Sequence, residues 1–195
     1  LMGKVYVVES TGIHSYARTW SDSTPFVNLF YQTHGDIDRD GKPEFYVGAT
    51  MSNGNWTTMY EADSNDHYSP RFIFHLLSGG SLDEPTYLTP DVDHDGKPEI
   101  VILSGGDLYV FKSNANDSFS LWYYKYFAAK QGIQFYDFNS DGKEDFILSR
   151  ARVDTLGRGA LFADIYLAKQ FTGVALDQSI KPDALSVEPN YPNPF

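Results

Sequence analysis

Asp91-Val-Asp93-His-Asp95-Gly96-Lys97-Pro-Glu99, running straight into Ile100-Val-Ile-Leu-Ser104, decides the architecture of this chain. Oxygen-bearing side chains stand at loop positions 1, 3, 5 and 9, with Gly at 6. A tight loop can turn alternate carboxylates toward one point. A hard cation such as Ca²⁺ takes six to eight oxygens at about 2.3–2.6 Å. Gly96 permits the sharp turn that brings the backbone carbonyl of Lys97, at position 7, to the same point. The frame recurs upstream as Asp36-Ile-Asp38-Arg-Asp40-Gly41-Lys42-Pro-Glu44. It recurs downstream as Asp137-Phe-Asn139-Ser-Asp141-Gly142-Lys143-Glu-Asp145. Three copies, each leading into an apolar run, predict a repeated calcium module with three Ca²⁺ sites. Asn139 replaces a carboxylate with a neutral oxygen, which lowers the charge of the third loop by one.

An EF-hand would need a bidentate Glu at position 12 and a helix after the loop. Position 12 is Val47, Ile102 and Leu148. The segments that follow the loops are Phe45-Tyr-Val-Gly48, Ile100-Val-Ile-Leu-Ser104 and Phe146-Ile-Leu-Ser149, short β-type runs closed by Gly or Ser. Pro43 and Pro98 at position 8 suit a kinked entry to a strand. The acid at position 9 therefore takes the closing-ligand role, and each loop joins two strands. A dockerin fails on the same missing helices.

This loop-then-strand pattern resembles the FG-GAP or VCBS repeats of integrin-like β-propellers, over roughly residues 26–176. The resemblance implies an all-β fold of propeller-like blades, each of four antiparallel strands, with one Ca²⁺ per acidic loop. A Phe-Gly, Gly-Ala-Pro signature is not visible, so the VCBS-like variant is the nearer match. The spacing agrees: Asp36 to Asp91 is 55 residues and Asp91 to Asp137 is 46, and blade periods run about 40–50. About three and a half blades are expected, with an N-terminal half-blade at 1–25 and blades at about 26–82, 83–128 and 129–178. In the clearest unit, Thr86–Thr89 leads into the loop, Glu99–Ser104 follows it, Asp107–Lys112 is third and Ser120–Phe127 fourth. Gly3–Glu9 and Ser15–Trp20 read as the third and fourth strands of a blade whose inner strands lie upstream or are supplied by a partner.

The chain has 195 residues, 16 Gly, 10 Pro and no Cys. That composition fits a turn-rich all-β protein that needs no disulfides. No apolar run reaches the roughly 18 residues of a transmembrane helix. Leu1-Met-Gly-Lys is no signal peptide, so any leader is expected upstream or already removed. The net charge is −11, and eleven of the 26 carboxylates occupy ligand positions in the loops (four, four and three). Three Ca²⁺ would carry +6 and leave −5. The acidity is thus mostly a metal-binding feature, and the absence of a basic stripe argues against nucleic acid. Loops of this kind that bind weakly, at roughly 10⁻⁴–10⁻³ M, belong outside the cell.

Residues 183–195 read as a Pro-rich linker. Within them Asn190-Tyr-Pro-Asn-Pro-Phe195 resembles the entry motif of the C-terminal sorting domain on cargo of the Bacteroidetes-type (type IX) secretion system. That resemblance implies export to the cell surface or medium. Asn55-Trp-Thr57 and Asn116-Asp-Ser118 match the N-glycosylation acceptor. Asp22-Ser23-Thr24 and Asp154-Thr155-Leu156 resemble the O-glycosylation sequon of such secreted proteins. The run Trp122–Phe127 suits blade packing better than sugar stacking.

No nucleophile elbow or phosphate loop is present, and His14, His34, His67 and His75 have no triad spacing. No catalytic residue is therefore expected, although paired carboxylates for glycoside hydrolysis stay open as an alternative. Three functions remain. The first, favoured because nothing catalytic stands out, is a secreted calcium-stabilised scaffold for adhesion or assembly, including self-assembly into filaments through open strand edges. The others are a glycan-binding module and part of a polysaccharide-degrading enzyme. The expected partners are further copies or upstream blades, and glycans or surface proteins.

Overall fold

The computed structural model describes residues 3–24, 29–51, 54–76, 86–88, 90–104, 106–127, 130–153, 159–167 and 185–189. All regular elements among them are strands. β1 (Gly3–Gly12) and β2 (Ser15–Thr24) form a hairpin. β3 (Leu29–Gly35), β4 (Glu44–Met51), β5 (Gly54–Ser64) and β6 (His67–Leu76) make the first full blade. β7 (Thr86–Leu88), β8 (Ile100–Ser104), β9 (Asp107–Ala115) and β10 (Ser118–Tyr126) make the second. β11 (Lys130–Tyr136), β12 (Asp145–Val153) and β13 (Gly159–Tyr166) belong to the third, and β14 (Leu185–Pro189) closes the list. Every pairing is antiparallel between neighbours in sequence, except that β14 joins the outer edge of β6. The fourth strand expected near Phe171–Leu176 lies outside the described residues.

The blade pattern follows from period-two alternation. A strand in a stacked blade is covered on both faces, so it reads as a continuous apolar run rather than an alternating one. Within β8, Ile100 and Ile102 join Ile37, Tyr46, Met59, Phe72, Phe74 and Leu76 in a core between the first two blades. Val101 and Leu103 point the other way, into a core with Ile133, Phe146 and Leu148 of the third blade. All four side chains are buried, each contributing about 1.5–3 kcal/mol. β9 repeats the division, with Tyr109 and Phe111 on one side and Leu108 and Val110 on the other. Phe74 meets Phe111 edge-on at 4.9 Å across the first interface. The run from Trp122 serves packing on both faces of its blade. Trp122 and Tyr123 share one side, which a register shift between Leu121 and Tyr123 allows, and Tyr124 lies against the other.

The N-terminal hairpin packs on the first blade through Trp20, whose ring meets Phe45, Tyr60 and Tyr68 at 5.4–6.3 Å. Tyr60 also donates its hydroxyl to Asp22 at 3.2 Å. No helix among the described residues is long and apolar enough to cross a membrane.

Two expectations need correction. The linker reading of 183–195 fails over Leu185–Pro189, which pair with Phe72–Leu76 as a fifth strand of the first blade. Proline excludes a segment only from ladder positions that need its N–H, so a strand ending at Pro189 is tolerated. Asn55 is not accessible to a glycan in this fold. It is 1% exposed inside β5 and donates its amide to Ser104 of the second blade.

Candidate metal centre

The three acidic loops connect β3 to β4, β7 to β8 and β11 to β12, the first two strands of each blade. Their internal hydrogen bonds are nearly the same three times over. The acid at position 9 accepts from the backbone N–H at position 2: Ile37 to Glu44 at 2.6 Å, Val92 to Glu99 at 2.7 Å and Phe138 to Asp145 at 3.0 Å. The Gly N–H donates to the position-1 Asp: Gly41 to Asp36 at 3.1 Å, Gly96 to Asp91 at 3.0 Å and Gly142 to Asp137 at 2.9 Å. Lys42, Lys97 and Lys143 donate their N–H groups to Asp40, Asp95 and Asp141 at 2.8–3.0 Å. At position 6 the glycines have φ of 81–90°, a region that L side chains avoid, and nothing lies within 4 Å of a Cβ placed on Gly41 or Gly142. Conformation alone therefore demands glycine there.

Two features of the loop escaped the sequence reading. Position 4 is also left-handed, with φ of 62°, 56° and 59° at Arg39, His94 and Ser140. Position 2 anchors the first two loops in the core, where Ile37 and Val92 are buried, while Phe138 is 41% exposed.

The carboxylates converge in two of the three loops. Among the described residues, Asp36, Asp38, Asp40 and Glu44 each bring a ligand atom within 4.8 Å of the others, and so do Asp91, Asp93 and Glu99. Asp95 is drawn toward Lys112 instead, at 3.0 Å. Asp137, Asp141 and Asp145 do not form such a group, and Asp141 is held within its loop by its N–H donating to Asp137 and Asn139 and its carboxylate accepting from Asn139 and Lys143.

The position-9 acids sit where charge is costly. Glu44, Glu99 and Asp145 are at most 2% exposed. Burial pushes Glu44 up to about 8, with Asp38 and Asp36 adding to the rise against the opposing Ile37 N–H. Burial pushes Glu99 up to about 7, with Lys112 pulling it back. One oxygen of each glutamate is tied to backbone. The other, Oε1, is buried with no hydrogen-bond donor, as is Asp91 Oδ1. An orphaned buried acceptor is expensive unless a cation satisfies it. The donor set is all oxygen, which suits a hard ion rather than a thiolate- or imidazole-binding one.

Residues 91–148 match the family described as the FG-GAP-like repeat. The match starts at position 1 of the second loop and ends at position 12 of the third, so it spans one loop-to-loop repeat. It supports the blade reading of that stretch. Comparison with curated proteins and with solved structures gave no match.

A third convergence was not foreseen. Asp38, Glu61 and Asp117 also bring ligand atoms within 4.8 Å of one another. Glu61 lies on β5 directly across from Glu44. Asp117 sits in the β9–β10 turn of the next blade, left-handed at φ 53°, and its N–H donates to Asp38 at 2.7 Å. Burial raises Asp117 to about 6, helped by the charge of Glu61 and opposed by Arg71. Of the sugar acceptors, Asn116 in that turn and Ser23 on β2 are exposed, while Thr155 lies outside the described residues.

Proposed function

We propose that this chain is a secreted β-blade scaffold for adhesion or assembly, in which Ca²⁺ clamps the loops that join the first two strands of each blade. Asp36, Asp38, Asp40 and Glu44 would hold one ion, Asp91, Asp93, Asp95 and Glu99 a second, and Asp137, Asn139, Asp141 and Asp145 a third. The position-7 carbonyls of Lys42, Lys97 and Lys143 would complete the sets. The observation that carries this reading is the pair of buried glutamates, Glu44 and Glu99, each left with one undonated oxygen at the centre of converging carboxylates. A bound ion would give each of those oxygens a direct partner, which Glu44 Oε1 lacks and Glu99 Oε1 has only as the Lys112 ammonium at 3.8 Å. The role would be structural, since each loop joins two strands of one blade. Self-assembly and export through the tail at Asn190–Phe195, which is outside the described residues, belong to the same proposal.

Elemental analysis and melting curves of the purified chain test it. Calcium is expected in the protein as isolated, and a chelator is expected to lower the melting temperature. An unchanged melt with no bound metal overturns the reading.

A further inference from the structure

We propose a separate divalent-cation site between the first two blades, formed by Asp38, Glu61 and Asp117. It extends the calcium reading of the loops and rests on it only through Asp38, which faces both groups. The three residues come from three places: a loop, the middle of the sheet and the turn of the neighbouring blade. Their ligand atoms lie within 4.8 Å of one another, yet Glu61 and Asp117 do not join the set formed by Asp36, Asp40 and Glu44. Two adjoining positions bridged by one carboxylate fit this arrangement better than one enlarged site.

A cluster of acids alone would carry little. Here Glu61 is 0% exposed, and its Oε2 has no hydrogen-bond partner. Asp117 Oδ1 is likewise buried without a donor. The nearby cations reach the other oxygens of the cluster. Lys42 reaches Glu61 Oε1 at 2.9 Å and Arg71 reaches that same oxygen at 3.0 Å. Arg71 also serves Asp63, and its Nε stands 3.7 Å from Asp117 Oδ2, too far for a hydrogen bond. Ionised carboxylates cannot donate to each other, so Glu61 Oε2 and Asp117 Oδ1 both stay without a donor and open to a ligand. A hard divalent ion of the calcium class, completed by water, matches an all-oxygen set. Such an ion would join loop, sheet and neighbouring turn, tying one blade to the next.

Native mass spectrometry of the full chain in CaCl₂ counts the ions. Glu61→Gln is expected to bind one Ca²⁺ fewer than the parent, and Asp117→Asn likewise. Asparagine is at home in left-handed turns, so the second variant keeps the turn if the first fails to fold. Asp36→Asn is expected to lose the loop ion alone, and Asp36→Asn with Asp117→Asn to lose two. An unchanged count in Asp117→Asn overturns the proposal and leaves a purely ion-paired cluster. A loss of only one ion in the double variant, when each single variant also loses one, overturns it in favour of one shared ion. If Asp36→Asn loses nothing while Asp117→Asn loses one, the loop reading fails and the inter-blade site stands.

Discussion

The first and second blades carry the same acidic loop and face it with opposite charges. Across the sheet from Glu44 stands Glu61. In the second blade the Ile100–Phe111 pair places Lys112 next along, across from Glu99, and its ammonium ion-pairs with Asp93 and Asp95. In the third blade the Phe146–Tyr166 pair puts Leu167, 52% exposed, at the corresponding point. A tethered ammonium is a cation held at high effective concentration. It lessens the need for an external ion and competes with one. The first loop faces a carboxylate instead, and its nearby cations, Lys42 and Arg71, are shared with that carboxylate. On the calcium reading, loops of like sequence need not bind metal equally, because the strand opposite adds its own charge.

Removing metal should have the largest effect. An ion that binds only the folded state at a hundredfold excess over Kd stabilises it by about 2.7 kcal/mol. For a chain of this size each kcal/mol is worth about 2–4 °C. A chelator should thus lower the melting temperature by about 5–10 °C for each occupied site. The loss should centre on the first blade, read as faster amide exchange along β4 and β5 than along β8 and β9. Equal loosening of both blades would break the comparison.

Single neutralisations come next. Asp36→Asn should remove a larger share of the calcium-induced rise in melting temperature than Asp91→Asn does, because Lys112 already compensates the second loop. Lys112→Met tests the same idea from the other side. It should raise the calcium affinity of the second loop by about tenfold, equivalent to about 1.4 kcal/mol. It should also destabilise the metal-free protein by stranding Asp93 and Glu99. Calorimetric titration of the variant against the parent reads both, and an unchanged affinity would show that Lys112 does not compete.

Proton binding separates the loops in the chelated protein. Glu44 and Glu99 are raised to about 8 and about 7 in the fold from an ordinary value of 4.5. Between those limits the folded state holds more protons than the unfolded one, so stability falls as pH rises. The chelated chain should therefore melt higher at pH 5 than at pH 8, and calcium should flatten or invert that slope. Glu44→Gln should remove more of the slope than Glu99→Gln. A melt independent of pH would show that the two carboxyls do not sense their burial.

Much of this was legible in the residues. The spacing of Asp91, Asp93, Asp95 and Glu99 encodes the loop, and the unbroken run Ile100–Leu103 encodes a strand covered on both faces. What the sequence hid is long-range. Asp117 meets Asp38 across 79 positions, and nothing local in Asn116-Asp117-Ser118 distinguishes it from any polar turn. Glu61 looks like an exposed strand acid until the register sets it against Glu44. Asn55 fits an acceptor pattern, but the pattern carries no information about burial. The left-handed turn at Arg39, His94 and Ser140 was invisible because three unlike residues adopt it under the constraint of the surrounding hydrogen bonds.

The smallest effect concerns the sheet edges, where the blades differ again. In the second blade β10 is the outermost strand among the described residues, while in the first β14 covers β6. An uncovered edge presents a row of unpaired backbone groups, which exchange quickly and invite another chain. Ending the chain at residue 184 should remove the Leu185–Leu76 to Pro189–Phe72 ladder and leave the core beneath it intact, because Phe72, Phe74 and Leu76 are buried against the second blade. The expected cost is therefore only about 1 kcal/mol, the order of one or two net hydrogen bonds. The outward amides of β6 should then exchange as fast as those of β10, and sedimentation should show more association at high concentration. If β6 exchanges at the same rate with and without residues 185–195, that strand does not cover the edge in solution. The two blades would then differ only in the charge facing their loops.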